Sequence, residues 1–391
     1  MITLKGMTWD HERGFSPLVM ASEQFSKKYP GVNIIWDRRS LKDFGDYPLD
    51  LLASKYDLLL IDHPHIGVSA AQGILAPLDE WLSGDYLMDQ WKNSVGPSYS
   101  SYQWGGRQWA LAVDAAAQVA SCRPDLMVGR EMPTTWVEVR ELTEELTGNQ
   151  KIGWPLCPTD AMCSFLSLCA NIGGKSFFDE EEGIPQPTGE AALALMFWLL
   201  PHLHVASLAS NPIQMYDLMA SGDEIVYVPL AFGYSNYSRS ASHGHRLHFA
   251  DIPSMTRKPE HALLGGVGIA VSAKSDHIPL AAEFAEYVAS PEIQSSIYYE
   301  AGGQPGHSAA WLDEKINKDS NDFFFSTRET LEFSYMRPRN QVFPAYQEEA
   351  GLILHRALSR AYKDRTQYVP ETLEEMNQLY RYLKKNHQEN T

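Results

Sequence analysis

The sequence predicts an α/β protein with two hydrophobic cores, and three observations carry that prediction. The chain has 391 residues of 44% hydrophobic composition, whereas a single core rarely grows past about 250 to 300 residues. Residues 2–36 read as strand, amphipathic helix and strand, a unit whose crossover makes its two strands parallel. Residues 56–62, YDLLLID, form a short continuous apolar run suited to a parallel strand buried on both faces.

The elements follow in order. Residues 2–7 read as the first strand. Ser16 then reads as an N-cap with Pro17 at the first helical position, and Leu18, Ala21, Phe25 and Tyr29 mark one face of a helix. Pro30-Gly31 stops it, and residues 32–36 form the next strand. After the strand at 56–62, a helix is expected over 64–72, ended by Gly73. Thr135 and Glu138 have the spacing of a capping box, in which each side chain satisfies a free backbone donor at a helix start. Residues 180–186 read as an exposed acidic loop, and they lack the alternating ligands of a calcium loop. Residues 265–307, GGVGIAVSAKSDHIPLAAEFAEYVASPEIQSSIYYEAGGQPGH, place a strand, two helices and a glycine-rich turn in series. An amphipathic helix is expected from 341 to 363. Pro370 opens another, with Leu373, Met376, Tyr380 and Leu383 on one face. No internal repeat or low-complexity linker interrupts the chain.

Four of these segments resemble the family 1 extracellular solute-binding proteins, the maltose-binding-protein-like group. They are the 265–307 series; the pairing of F-x-x-x-Y-P-G at Phe25 to Gly31 with G-x-L-x-P-L-D at Gly73 to Asp79; WGGRQWALAVD at 104–114; and P-T-T-W at Pro133 to Trp136. The third departs from the family pattern in having Ala112 where a proline is common. The resemblance spans residues 1–310 and implies a two-lobed class II periplasmic-binding-protein fold. The first lobe is then expected at 1–112 and, on return, 258–306. The second is expected at 113–257 and 307–391 with the C-terminal helices, and the chain should cross near 110–114, 253–261 and 304–311. The resemblance further implies capture of a small polar solute, a sugar or sugar derivative, by hinge closure over an interlobe cleft, and transport by delivery to an ABC importer.

Ligands of open α/β sheets bind outside the carboxyl ends of the strands. That rule selects Trp9, Asp10, His11 and Arg13 after the first strand, Asp62, His63 and His65 after another, Asp114, Tyr234, and Gly265 with Gly266 as ligand-binding residues. Trp9, Trp154, Phe232, Tyr234 and Trp311 are candidate aromatic faces; lobe core is the plain alternative for the tryptophans, except Trp9, whose polar neighbours suggest a strand end. Asp10, Arg13, Asp62 and Asp114 are candidate partners for polar ligand atoms. The clusters WDHER and DHPH also hold ligand types for a transition metal, His63 and His65 with Asp62, His11 or Asp10. The plain reading gives Asp62 and His63 a helix-capping role. Tyr234 and Tyr237 resemble the tyrosine pairs of ferric-ion receptors but stand three apart, and His243, His245 and His248 read as solvated loop and strand. The alternative from another class is a cytoplasmic enzyme or metabolite sensor with His11, Arg13, Asp62 and His63 as the working residues, His11 as general base beside Asp62 and Arg13 holding an anionic substrate. G-x-S-x-G, H-E-x-x-H and the P-loop pattern are missing, and the GGVG segment lacks the third glycine of a dinucleotide fingerprint.

Forty-nine acidic against 32 basic residues give a net charge of -17, which argues against nucleic acid and anionic membranes as partners. The four cysteines show no C-x-x-C spacing and read as free thiols. No apolar run reaches membrane-spanning length, and no apolar signal segment follows Met1. A native Met1 would place the protein in the cytoplasm; a removed signal peptide would place it in the periplasm or outside the cell, with an ABC permease as partner. A monomer with no cofactor and no bound metal is expected.

Overall fold

The computed structural model describes residues 1–40, 49–239 and 244–389. Among these, the strands in chain order are β1 (Ile2–Trp9), β2 (Val32–Arg39), β3 (Leu58–Ile61), β4 (Gln103–Trp104), β5 (Arg107–Gln108), β6 (Ala110–Cys122), β7 (Lys151–Ile152), β8 (Ile225–Phe232), β9 (His248–Ala250) and β10 (Leu264–Val271). The chain divides into two compact units. Unit 1 comprises Met1–Ala116, Gly265–Lys318 and Arg339–Gln341; unit 2 comprises Ala117–Leu264, Asp319–Pro338 and Val342–Thr391.

In unit 1 the strands lie in the order β2, β1, β3, β10 and β6. β1 pairs in parallel with both β2 and β3, and β10 runs antiparallel to β3. The run that reads as a doubly buried strand is one. Leu58 and Leu60 enter a core with Leu18, Phe25 and Phe284, while Leu59 and Ile61 enter another with Leu52, Ile66 and Tyr102, as alternation along a strand requires. The helix Ile278–Ala289 and the helix Glu12–Lys28 cover the first of these faces. The latter starts earlier than Ser16-Pro17 suggests. His11 is its N-cap, its Nδ1 accepting from Arg13 N at 3.1 Å, and Pro17 lies inside the helix. The helix expected over 64–72 is a short 3₁₀ turn, His63–His65, followed by Ile66–Ala71. β4 and β5 form a separate two-stranded ribbon.

Unit 2 takes up the second half of β6, with β8 antiparallel to it and β7 parallel to β8; β9 pairs with β6 at Ala120 to Cys122. The helix Pro158–Gly173 is buried on nearly every face, the pattern of a helix enclosed in a core. It packs against the helices Gln186–Leu199 and Phe343–Asp364, the second approaching so closely that a Cβ on Gly351 would lie 2.7 Å from the Pro158 carbonyl oxygen. The last helix, Val369–Glu389, buries Leu373, Met376 and Tyr380. Thr135 and Glu138 form the expected capping box at the head of the helix Trp136–Glu145. Of the expected acidic loop, Glu180 to Glu182 are exposed while Gly183 and Ile184 are buried; Asp179 closes it, its carboxylate accepting from the backbone N–H of Glu181 and Glu182. His243 lies outside the described residues. His245 is exposed and His248 opens β9.

Candidate functional site

The carboxyl edge of unit 1 gathers the selected residues other than Tyr234, which lies in unit 2. Met7 stands opposite Leu59, and continuing that parallel register sets Asp10 beside Asp62 at the ends of neighbouring strands, about 5 Å apart along the sheet. Gly268 stands opposite Ile61 in the antiparallel pair, so continuing that register sets Val267 opposite Asp62 and Gly266 opposite His63, with Gly265 one residue beyond. Asp10 is exposed, and Arg38 of β2 reaches it with Nη1 3.1 Å from Oδ1. Arg38 escaped the sequence reading; the signal was a basic pair at the end of the strand that neighbours β1. Asp62 is half-buried and caps the 3₁₀ turn: its Oδ1 accepts from His63 N at 2.8 Å and lies 3.2 Å from His63 Nδ1. His63 is buried and His65 half-buried.

Arg13 and Asp114 meet each other. Arg13 Nε donates to Asp114 Oδ2 at 2.6 Å and Nη2 donates to Oδ1 at 2.5 Å, a bidentate pair with both side chains almost fully buried. Burial pushes the Asp114 carboxyl up, and the guanidinium opposes that shift. Gly266 explains how β10 tolerates this neighbour: its φ is +90°, and a Cβ there would lie 2.3 Å from the Asp114 carbonyl oxygen. A glycine is therefore required by close approach as well as by conformation. Residues 304–306 extend the edge, with Ala115 N donating to Gln304 O, Gln304 Nε2 to Ala115 O, and Gly306 N to Val113 O.

Four of the five aromatic candidates are buried. Trp9 is 4% exposed and packs its ring on Gly14, whose Cβ would overlap it. Trp311 is buried in unit 1 with Nε1 donating to the Pro305 carbonyl. In unit 2, Trp154 is fully buried, and Tyr234 is buried within an aromatic cluster that includes Tyr216. Phe232 is half-buried at the end of β8. Tyr237 donates its hydroxyl to Asp217 Oδ1 at 2.7 Å. Among the described residues no three of His, Cys, Asp and Glu are grouped to hold a metal ion. The catalytic alternative loses its anion holder, because Arg13 is already bonded to Asp114, and His11 uses Nδ1 to cap a helix.

The sequence profile of the bacterial extracellular solute-binding proteins matches residues 9–295. The chain belongs to that family. A maltotriose-binding protein of Pyrococcus abyssi (strain GE5 / Orsay) is 23% identical over 331 residues, covering 82% of this chain and 69% of that protein. Among solved structures, maltose-bound T. maritima MalE3 superposes with a TM-score of 0.83 at 19% identity, covering 98% of this chain and 100% of that one. A solute-binding protein of Agrobacterium radiobacter K84 in complex with ribitol superposes with a TM-score of 0.80 at 19% identity, covering 98% of each chain. The fold is thus the two-lobed periplasmic-binding-protein fold of solute-binding proteins that serve ABC transporters.

Proposed function

We propose that the protein binds a small neutral polyhydroxylated solute, a sugar or sugar alcohol, and hands it to the permease of an ABC importer from the periplasm or the cell exterior. The observation that carries this reading is the edge of unit 1, where Asp10 and Asp62 end adjacent strands, Arg38 is paired with Asp10, and Arg13 is spent on Asp114. Carboxylates in such a place accept hydrogen bonds from hydroxyl groups and repel anionic sugars. The compounds bound by similar proteins, maltotriose, maltose and ribitol, share that chemistry. In this reading Asp10, His11, Asp62, His63, His65, Gly265 and Gly266 line the ligand's side of unit 1 and Tyr234 that of unit 2. Arg13, Asp114 and Trp9 shape the edge from beneath. Ligand-driven closure follows if the solute binds the closed state more tightly than the open one.

A thermal-shift series with neutral sugars, sugar alcohols and sugar acids tests the reading, since a ligand of the folded state raises Tm by mass action. Stabilisation by at least one neutral compound and by no sugar acid is expected. Stabilisation by sugar acids alone would overturn it. Asp62→Ala should then weaken binding of the stabilising compound by about tenfold, the loss expected for one hydrogen bond to a charged group.

A further inference from the structure

Unit 2 contains a carboxylate that the fold leaves almost unsupported. The buried helix Pro158–Gly173 carries Asp160, Ser164, Ser167 and Asn171 at i, i+4, i+7 and i+11, a single polar stripe on one face. Three of the four are satisfied by neighbouring protein groups. Ser164 Oγ accepts from Gln118 Nε2 at 3.1 Å and from Trp154 Nε1 at 2.9 Å. Ser167 Oγ donates to Gln118 Oε1 at 2.5 Å and accepts from Leu263 N at 2.8 Å. Asn171 donates to Glu260 O at 2.9 Å and accepts from Met255 N at 3.0 Å. Among the described residues Asp160, at the N-terminal end of the stripe, has one side-chain partner, the Cys157 thiol, which donates to Oδ2 at 3.0 Å. No ion pair reaches it among the described residues, it is only 7% exposed, and burial pushes its carboxyl up to about 7.

Its place in the fold is the carboxyl edge of this unit's sheet. Gln118 stands opposite Phe232, the last residue of β8, so the bonded Ser164 marks the level at which β8 ends. β7 runs parallel to β8 and leads into this helix, whose N-terminus therefore lies on the side toward which both strands point. Asp160 is one turn nearer that N-terminus, about 5.4 Å further out. It stands beyond the strand end, on the face turned toward β6, where ligands of open α/β sheets are met.

We propose that Asp160 is a ligand-binding residue, contributed by unit 2, whose carboxylate accepts hydrogen bonds from hydroxyl groups of the solute. The inference rests on the sugar reading above and deepens it. A thiol is a weak donor and compensates little of the cost of burying a carboxylate; ligand hydroxyls supply the missing donors. The polar stripe provides the rigid support, because Ser164 and Ser167 fix the helix against Gln118 and hold Asp160 in place. With no cation beside it among the described residues, the position disfavours carboxylates and phosphates.

The test measures binding of maltose, maltotriose, ribitol, D-mannitol and α-D-tagatose to the full chain and to Asp160→Asn and Asp160→Ala, by thermal shift and then calorimetry. At least one sugar should stabilise the wild type. Both variants should bind that sugar at least about tenfold more weakly, with a ligand-free Tm no lower than wild type for the isosteric Asp160→Asn, because a carboxylate kept for structure would lower it when lost. Binding of that sugar by Asp160→Asn within twofold of wild type would overturn the proposal and leave the sugar reading standing. No stabilisation of the wild type by any of the five would overturn both.

Discussion

A charged side chain that the fold buries must find its partner within the protein or reserve itself for something else, and Asp114 and Asp160 show the two outcomes. Asp114 is held by two hydrogen bonds from Arg13, so removing either partner strands a buried charge. Asp114→Ala and Arg13→Ala should each destabilise unit 1 by about 3 to 5 kcal/mol, measured as a fall in urea midpoint, whereas replacing both with apolar residues of similar volume should recover most of that loss. Asp160 has no such partner among the described residues. Its folded pKa of about 7 lies above the ordinary carboxyl value of about 3.9, so between these values the folded state binds a proton that the unfolded state does not. Stability contributed by the protonated form is present below about pH 4 and is lost as pH rises through about 7. Each tenfold difference in proton affinity between the two states is worth about 1.4 kcal/mol. Asp160→Asn should therefore gain a few kcal/mol at pH 8 and much less at pH 5. Equal midpoints at pH 8 for variant and wild type would show that the carboxyl is not held at this cost. The ends of β1 and β3 were legible to within one or two residues, because strand ends followed by Asp and His follow a local pattern, although β1 runs on to Trp9, two residues past the expected Met7. The Arg13 to Asp114 bond was not, since the two lie 101 positions apart and both types looked equally suited to a ligand.

Elements are most legible where local signals agree. The capping box at Thr135 and Glu138 satisfies backbone donors through neighbours three residues apart, which a sequence displays directly. Thr135→Ala should cost about 1 kcal/mol in chemical denaturation. The start of the helix Glu12–Lys28 departs from the expected one because a serine and a proline form a stronger sequence signal than His11, yet the histidine ring is the cap. The helix Pro158–Gly173 is hidden for a different reason. Burial on nearly all sides erases the apolar-to-polar alternation that marks a surface helix, and its one informative feature, the stripe from Asp160 to Asn171, becomes visible only once Gln118 and Leu263 are known to face it. Its contact with the helix Phe343–Asp364 is also beyond local pattern, depending on the missing side chain of Gly351. Gly351→Ala would place a Cβ 2.7 Å from a backbone oxygen that cannot rotate away. The helices must then separate, at a cost of about 1 to 3 kcal/mol, read as a lowered denaturation midpoint.

At the scale of the whole molecule, neither unit is a continuous stretch of chain, and unit 2 depends on its last segment for the cover of its central helix. Residues 342–391 supply the helices Phe343–Asp364 and Val369–Glu389. The first covers Pro158–Gly173; the second seats Leu373, Met376 and Tyr380, with Tyr380 stacked edge-on against Phe178 and Tyr346. Truncation after residue 368 removes those three buried side chains, each worth about 1.5 to 3 kcal/mol, and should leave a folded but strongly weakened unit 2. Truncation after residue 341 also uncovers a helix that is buried on nearly every face and should abolish the cooperative unfolding of unit 2. Unit 1 keeps its own cores in both cases, because Leu18, Phe25, Leu60 and Phe284 all lie in residues that remain. Tryptophan fluorescence can follow the two units separately, through Trp154 in unit 2 and Trp9 in unit 1, each kept as the sole tryptophan in an otherwise substituted chain. The expected result is that the Trp154 transition disappears on truncation after 341 while the Trp9 transition persists. Loss of both transitions together would show that the two cores, though packed from different residues, unfold as one.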